Sequence, residues 1–392
     1  MNRSCLIEKV KANKYFYALY YYIGSLIINT IRLFIRTDNK MILFVSFGGR
    51  HFNDSPQVIY KAMKNDKRFS GYKLVWAFRK PEDFDIPKRE KIKIDTVKYY
   101  ITALKARCWI TNVMVERALN FRGKNTYYFH TTHGAFPKYI GRDVKDNSFD
   151  TRAHYHYDCS CAQSEYEAQI QRGMFELDKE HILLCGYPKN DRLSHYTLEE
   201  CLQIRSNLNI PKDKKVILYA PTFRENAPNV TKVAVDFHYW EKELGDEYVV
   251  LFRAHPVTKN MMADKLPFPF VIDCTAYSDI TDLYLIADIL ISDYSGVIFD
   301  FAILEKPIIC FLYDYKDYIK SRGLYMDLRN ELPGGDINEK ELIKIIKNTP
   351  NDQDLEKVVS FKNRYITHYG SATELSLDAI FKNISESNSD GC

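Results

Sequence analysis

From residue 41 onward, short apolar runs rich in β-formers alternate with stretches of mixed or helical period. "MILFVSF" (41–47), "YKLVWAF" (72–78), "RCWITNV" (107–113), "TYYFHTT" (126–132), "DCSCA" (158–162) and "HILLCGY" (181–187) make up a first half. "TLEECLQIRSNLNIPKDK" then supplies a helix and a polar hinge ending near Lys215. "KVILYAPTF", "YVVLFRAHP", "PFVIDC", "ADILISDYS" and "PIICFLY" repeat the layout in a second half. Strands alternating with helices in this way predict an α/β protein of two Rossmann-like, doubly wound parallel sheets facing a cleft. The expected units are residues 41–210, 211–350, a pair of C-terminal helices packing back over 351–385, and a disordered polar tail at 386–392. The turn after the first strand, "GGRHFNDSP", predicts Asp54 or Ser55 as N-cap with Pro56 opening the next helix.

The first 40 residues have a different character. After Lys9, Lys11 and Lys14 comes "YFYALYYYIGSLIINTIRLFIR", with no small residues at a plausible cleavage point. On a helix, Phe16, Leu19, Tyr20, Ile23, Leu26, Ile27, Ile31 and Phe34 share one face; Tyr21, Ser25, Asn29, Arg32 and Arg36 fall mostly on the other. The pattern predicts a helix lying in a bilayer interface; packing on the protein's own core and a true span are the alternatives. Composition adds little direction. A balance of Lys+Arg 55 against Asp+Glu 51 excludes a strong polyanion-binding signature, and so argues against nucleic acid. Nine cysteines, with only Cys159 and Cys161 close together, suit structural thiols in a reducing, cytoplasmic compartment and no zinc site.

Candidate chemistry collects at the ends of the strands. "SDYSG" (292–296) sits between two apolar runs, where a strand turning at once into a helix leaves backbone N–H groups and the positive end of a dipole facing outward. Such a turn can hold a phosphate, or Ser292, Asp293 and Ser295 can simply cap the helix. Two more second-half strands end on "APTFRE" (Pro221, Thr222, Arg224) and "RAHP" (Arg253, His255), so their cations can converge on the same anion. The first half offers "HTTHGAFPKYIGRD", with His130, His133, Lys138, Arg142 and Asp143. One Asp-x-Asp string, Asp83-Phe84-Asp85, lies in a charged stretch and reads as a solvated loop, with no metal expected.

Seven ordered stretches carry a family resemblance: "SFGGRHFNDSPQVIYKAM", "TTHGAFPKYIGRD", "GYPKNDRL", "VILYAPTFRE", "LFRAHP", "DLYLIADILISDYSGVIFDFAILEKPII" and "YDYKDYIKSRGLYMDL". Together they resemble the CDP-glycerol glycerophosphotransferase family, the polyol-phosphate primases and polymerases of teichoic acids and capsules, over roughly residues 41 to 380. The resemblance implies a GT-B arrangement, a peripheral enzyme on the cytoplasmic face of the cell membrane, and no cofactor. It implies transfer of glycerol phosphate from CDP-glycerol to a hydroxyl of a lipid-linked glycan with release of CMP. CDP-ribitol is the alternative donor, and a GT-B nucleotide-sugar glycosyltransferase a more distant alternative.

The implied roles fall on matching positions. His133, in Thr132-His133-Gly134, corresponds to the family's general base, with Thr132 where the family usually has Trp; Gly134, Lys138 and Asp143 are expected on the acceptor side. His255 would face the donor diphosphate as a second catalytic residue. Pro221, Thr222, Arg224, Arg253, Ser292, Asp293, Ser295, Gly296 and Arg322 are expected to bind the donor, and Tyr369-Gly370 replaces an Asp-Gly pair of the family. The chemistry is self-consistent: a neutral imidazole can take the acceptor proton, and fixed cations can stabilise the leaving phosphate.

Overall fold

The apolar runs pair side by side, all in parallel, in two separate sheets of a computed structural model that describes residues 14–140, 143, 156–222, 234–254 and 269–385. The first contains β1 (Asp38–Val45), β2 (Lys73–Phe78), β3 (Lys91–Lys93), β4 (Ala106–Thr111), β5 (Tyr127–His130), β6 (Cys159–Ala162) and β7 (Ile182–Leu184), in the order 3-2-1-4-5-6-7. The second contains β8 (Lys215–Ala220), β9 (Tyr248–Phe252), β10 (Val271–Asp273), β11 (Ile289–Ser292), β12 (Ile308–Phe311) and β13 (Gly334–Gly335), in the order 10-9-8-11-12-13. Both are doubly wound, as a GT-B-like arrangement requires. Strand order reverses between β1 and β4 and again between β8 and β11, where an open α/β sheet leaves a crevice for ligands.

Each sheet is covered on both faces, which is why its strands read as unbroken apolar runs. The period-2 alternation divides them cleanly. Leu43, Val45, Trp109 and Tyr128 face one layer of the first domain, whereas Ile42, Phe44, Trp76, Ile110 and Phe129 face the other. The short edge strands β3 and β13 fall outside the apolar runs. Near the C-terminus the chain crosses between domains. Val358, Phe361 and Tyr365 of the helix Asp352–Tyr365 pack into the second domain, and Leu377, Ile380 and Ile384 of the helix Ala372–Ser385 return to the first. Arg107 Nη2 pins that last helix by donating to the Asn383 carbonyl at 2.6 Å.

The N-terminal helix α1 (Lys14–Arg32) docks by its polar side. Ser25 Oγ accepts from Asn120 N at 2.8 Å, Asn29 Nδ2 donates to the Asn120 carbonyl at 2.7 Å, and Arg32 Nη1 donates to the Arg122 carbonyl at 3.3 Å. These bonds satisfy backbone groups of the irregular 117–122 segment. Ile28 is the helix's buried contribution to the core. Most of the apolar stripe points outward instead: Phe16 is 59% and Leu26 69% exposed, and Phe34, in the turn just past the helix, 82%, while Ile31 packs against the core. Among the described residues no helix is long and apolar enough to cross a membrane.

Candidate active site

The first switch point is built around Asn112, just beyond β4 and fully buried. Its side-chain Oδ1 accepts from Phe47 N at 2.8 Å, tying down the loop after β1. Its main-chain carbonyl lies 3.1 Å from His133 Nδ1. A carbonyl can only accept, so Nδ1 carries the proton and the neutral ring presents Nε2 as its basic atom. Solvent reaches the ring, yet the cleft walls crowd it closely, and this desolvation lowers its pKa below the ordinary value. The bond to Asn112 and the charge of Asp54 work in the opposite direction, and Lys189 and Lys138 reinforce the lowering. The residue before it, Thr132, is held at φ 54. A β-branched residue there is strained by about 1–3 kcal/mol, the kind of conformation that persists where a turn is dictated by a site. His130 does different work. It is buried, stacked on Tyr157 at 4.0 Å, and burial pushes its pKa down to about 3, so it belongs to the core.

The second switch point is a mirror of the first in construction. Ser292 Oγ donates to the Ala220 carbonyl at 2.7 Å, and Asp293 Oδ1 accepts from Thr222 N at 2.8 Å, so both side chains brace the Pro221-Thr222 turn after β8. Neither caps the following helix α2 (Val297–Ala302), whose N-cap is Gly296 with no side-chain bond. Ser295 Oγ accepts from Val297 N at a long 3.4 Å and remains half-buried at the cleft. For Ser292 and Asp293 the capping alternative therefore gives way to bracing, whereas Ser295 keeps a long bond to the first N–H of α2. Arg253 follows β9, and its Nη1 donates to the Cys274 and Tyr277 carbonyls at 3.1 and 2.8 Å. Ser295→Asp is expected to leave the melting temperature close to wild type and to abolish CDP-polyol binding, read by thermal melts and titration calorimetry; retained affinity would remove Ser295 from the phosphate site.

The two switch points meet through the loops that follow them. A Cβ on Gly296 would lie 2.6 Å from the Ala135 carbonyl, so glycine is required where the two loops touch. Lys189, from the 188–194 turn, donates to the His133 carbonyl at 3.2 Å and to Asp300 Oδ2 at 2.8 Å. Asn190 Nδ2 donates to Asp300 Oδ1 at 2.7 Å. Burial opposes the Lys189 charge, but Asp300 and Asp54 outweigh it and its pKa is raised. Lys189, Asn190 and Asp300 went unassigned in the sequence, although "GYPKNDRL" and "SGVIFDF" contain them; a buried pair 111 positions apart has no local signature.

The remaining expected residues line a strip between the domains. Lys138 bridges Leu324, Tyr139 N donates to the Gly323 carbonyl, and Tyr325 N donates to the Pro137 carbonyl. Arg322 Nε donates to the Tyr139 carbonyl at 3.1 Å, and the Tyr325 hydroxyl bonds Asp143. The structure thus gathers His133, Gly134, Ser295 and Gly296 at one junction, and sets Lys138, Asp143 and Arg322 along the neighbouring interdomain strip. His255, Arg224 and Arg142 lie outside the described residues.

Two Rossmann-like domains that meet where the His133 loop touches the Ser295-Gly296 turn define a GT-B-like scaffold. The comparisons place it more closely. Residues 27–382 match the family described as CDP-Glycerol:Poly(glycerophosphate) glycerophosphotransferase, and the chain belongs to that family. It is 36% identical over 372 residues to the teichoic acid poly(glycerol phosphate) polymerase of Staphylococcus epidermidis, covering 88% of this chain and 51% of that protein. The chain thus spans about half the length of that curated relative. It is 31% identical to the teichoic acid glycerol-phosphate transferase of Staphylococcus aureus, covering 91% of this chain and 97% of the other. Over 53% of this chain it is 35% identical to a teichoic acid poly(ribitol-phosphate) polymerase of Bacillus spizizenii. The solved wall teichoic acid polymerase TagF superposes with a TM-score of 0.82 at 34% identity, over 90% of this chain and 91% of that one; a histidine-to-asparagine variant soaked with CDPG matches equally.

Proposed function

We propose that the protein transfers glycerol phosphate from CDP-glycerol to a hydroxyl of a lipid-linked glycan, releasing CMP, in teichoic acid or capsule synthesis. The observation that carries this reading is the junction itself. The loop bearing neutral His133 rests directly on the Ser295-Gly296 turn, within a family of glycerophosphotransferases. Nε2 of His133 takes the proton of the acceptor hydroxyl as its oxygen attacks the β-phosphorus. The bond from that phosphorus to the bridging oxygen breaks, and CMP leaves with the electron pair. The Ser295 turn stabilises charge on the phosphates. A relative named for ribitol phosphate favours CDP-ribitol as the second reading. Titration with CDP-glycerol, CDP-ribitol and UDP-N-acetylglucosamine separates these donors; tight binding of the UDP-sugar alone would overturn the proposal.

The acceptor's lipid gives the outward stripe of α1 a purpose. We assign that stripe to the headgroup region of the cytoplasmic leaflet, because its polar face is already occupied by the 117–122 segment while Phe16, Leu26 and Phe34 stand exposed. Replacing Phe16, Leu26 and Phe34 with serine is expected to release the protein from anionic vesicles in a sedimentation assay without lowering its melting temperature. Persistent sedimentation of that variant would count against a membrane-surface role.

A further inference from the structure

The segment that carries His133 does not stay with its own domain. It leaves β5 at the first switch point, where Thr131 N donates to the Thr111 carbonyl at 2.8 Å and His133 Nδ1 meets the Asn112 carbonyl. Beyond Gly134 its side chains divide between the two domains: Ala135 belongs to the apolar core of the second, whereas Phe136 and Ile140 pack against that of the first. The backbone itself then crosses over. Tyr139 N donates to the Gly323 carbonyl at 3.2 Å and Tyr325 N to the Pro137 carbonyl at 2.9 Å, closing an antiparallel bridge of Lys138 with Leu324. Arg322 Nε adds its bond to the Tyr139 carbonyl at 3.1 Å, and the Tyr139 ring meets Tyr325 edge-on with 4.7 Å between centroids. These bonds satisfy backbone groups of a strap that has left its sheet.

Gly323 makes the close approach possible. Its φ is 80, and a Cβ there would lie 2.4 Å from Tyr139 Cδ2. Together with Gly296 against the Ala135 carbonyl, the strap therefore touches the second domain at two places where a glycine is needed, one just past His133 and one near its far end. His133 is thus aimed from both sides. Its ring is fixed by Asn112 of the first domain, but the chain that carries it is seated on the second, beside the Ser295-Gly296 turn.

We propose that Tyr139 and Gly323 are positioning residues for the transfer: the bridge they form seats the His133 strap on the second domain, so that the ring and the Ser295-Gly296 turn reach working distance together. The role rests on the reading of His133 as the base given above. A cleft loosened at this bridge parts the proton acceptor from the reacting phosphate, and such misplacement is costly because the barrier depends on near-attack geometry. The ring itself reports the change. Asp54 faces it from the helix Asp54–Asn65, Lys189 with its partner Asp300 from the 188–194 turn, Lys138 from the strap and His130 from β5. Desolvation by the crowded cleft outweighs these charges and lowers the His133 pKa, so a looser strap that readmits water raises it.

Tyr139→Ala in the full chain, with Tyr139→Phe as the conservative control, tests this by histidine NMR titration and by turnover of CDP-glycerol. The His133 signal is assigned by its loss in His133→Asn. In Tyr139→Ala that signal is expected to titrate closer to the ordinary value of about 6.5 than it does in wild type. The same variant should lose about 10²-fold in kcat, the loss suited to a base displaced by about 1 Å, while the Kd for CDP-glycerol holds. Tyr139→Phe keeps the ring and should restore both readouts. Gly323→Ala, whose methyl would press on the same ring from the other side, should act in the same direction; if it fails to fold, the Tyr139 pair decides alone. A folded Tyr139→Ala protein that melts lower but keeps the wild-type His133 titration or the wild-type kcat would reduce the bridge to packing and overturn the proposal. CDP-glycerol binding weakened by the factor lost in kcat would assign the bridge to the donor and equally overturn it. If wild type turns over no CDP-glycerol, or His133→Ala is fully active, the reading of the base fails, and the ring titration in Tyr139→Ala still decides whether the bridge positions it.

Discussion

Replacing His133 with alanine is expected to lower turnover by about 10² to 10⁴, the range ordinary for a lost proton-transfer group, with CDP-glycerol affinity nearly unchanged. The expectation follows from one hydrogen bond. Nδ1 is committed to the Asn112 carbonyl, so only Nε2 can receive a proton, and alanine removes that atom without touching the second domain. The pH profile adds a second reading. The base works only when unprotonated, and desolvation sets its pKa below 6.5, so the rate should climb on an acid limb centred below that value and be flat at neutral pH. A fully active, folded alanine variant would take His133 out of the mechanism.

Replacing Lys189 with methionine is expected to destabilise the protein by about 3–5 kcal/mol, the cost of leaving one member of a buried ion pair alone. Asp300 is 2% exposed and, among the described residues, would keep only Asn190 and the more distant Tyr284 hydroxyl as side-chain partners. Lys189→Met combined with Asp300→Leu should recover part of that loss in urea melts, since no charge is left buried alone although the buried Asn190 amide loses its acceptor. Activity should not recover with stability. Lys189 also holds the His133 carbonyl, so the double variant should fold well and turn over slowly. Full activity in the stable double variant would reduce Lys189 to an element of interdomain packing.

The sheets were legible because a strand buried on both faces must be apolar throughout. The runs "KVILYAPTF" and "YKLVWAF" contain β8 and β2, overshooting the first at its end and the second at its start. β3 and β13 were not, because one is Lys-Ile-Lys at an edge and the other is two glycines. In the site, the strand-end polar clusters pointed to turns but not to the bonds those turns make. Ser292 and Asp293 read as helix caps or phosphate ligands, and in the structure their side chains bond the Ala220 carbonyl and the Thr222 amide across the switch point. Which backbone group is left unpaired depends on how two distant strands end side by side, and no local pattern carries that. The same holds for α1. Its amphipathic stripe was plain in the sequence, but its outward direction depends on the backbone groups of residues 120 and 122 waiting for Ser25, Asn29 and Arg32.

The central claim is that a bond to the β-phosphorus is exchanged, and the phosphorus spectrum of a single reaction tests it most directly. CDP-glycerol, the full chain and a glycerol-phosphate-terminated acceptor, followed by ³¹P NMR, should lose both diphosphate resonances together. CMP and a new phosphodiester should appear in equal amounts, with His133→Ala slowing both. Release of CDP with its diphosphate intact would place the cleavage at the glycerol carbon–oxygen bond, as in glycosyl transfer, and would contradict the account.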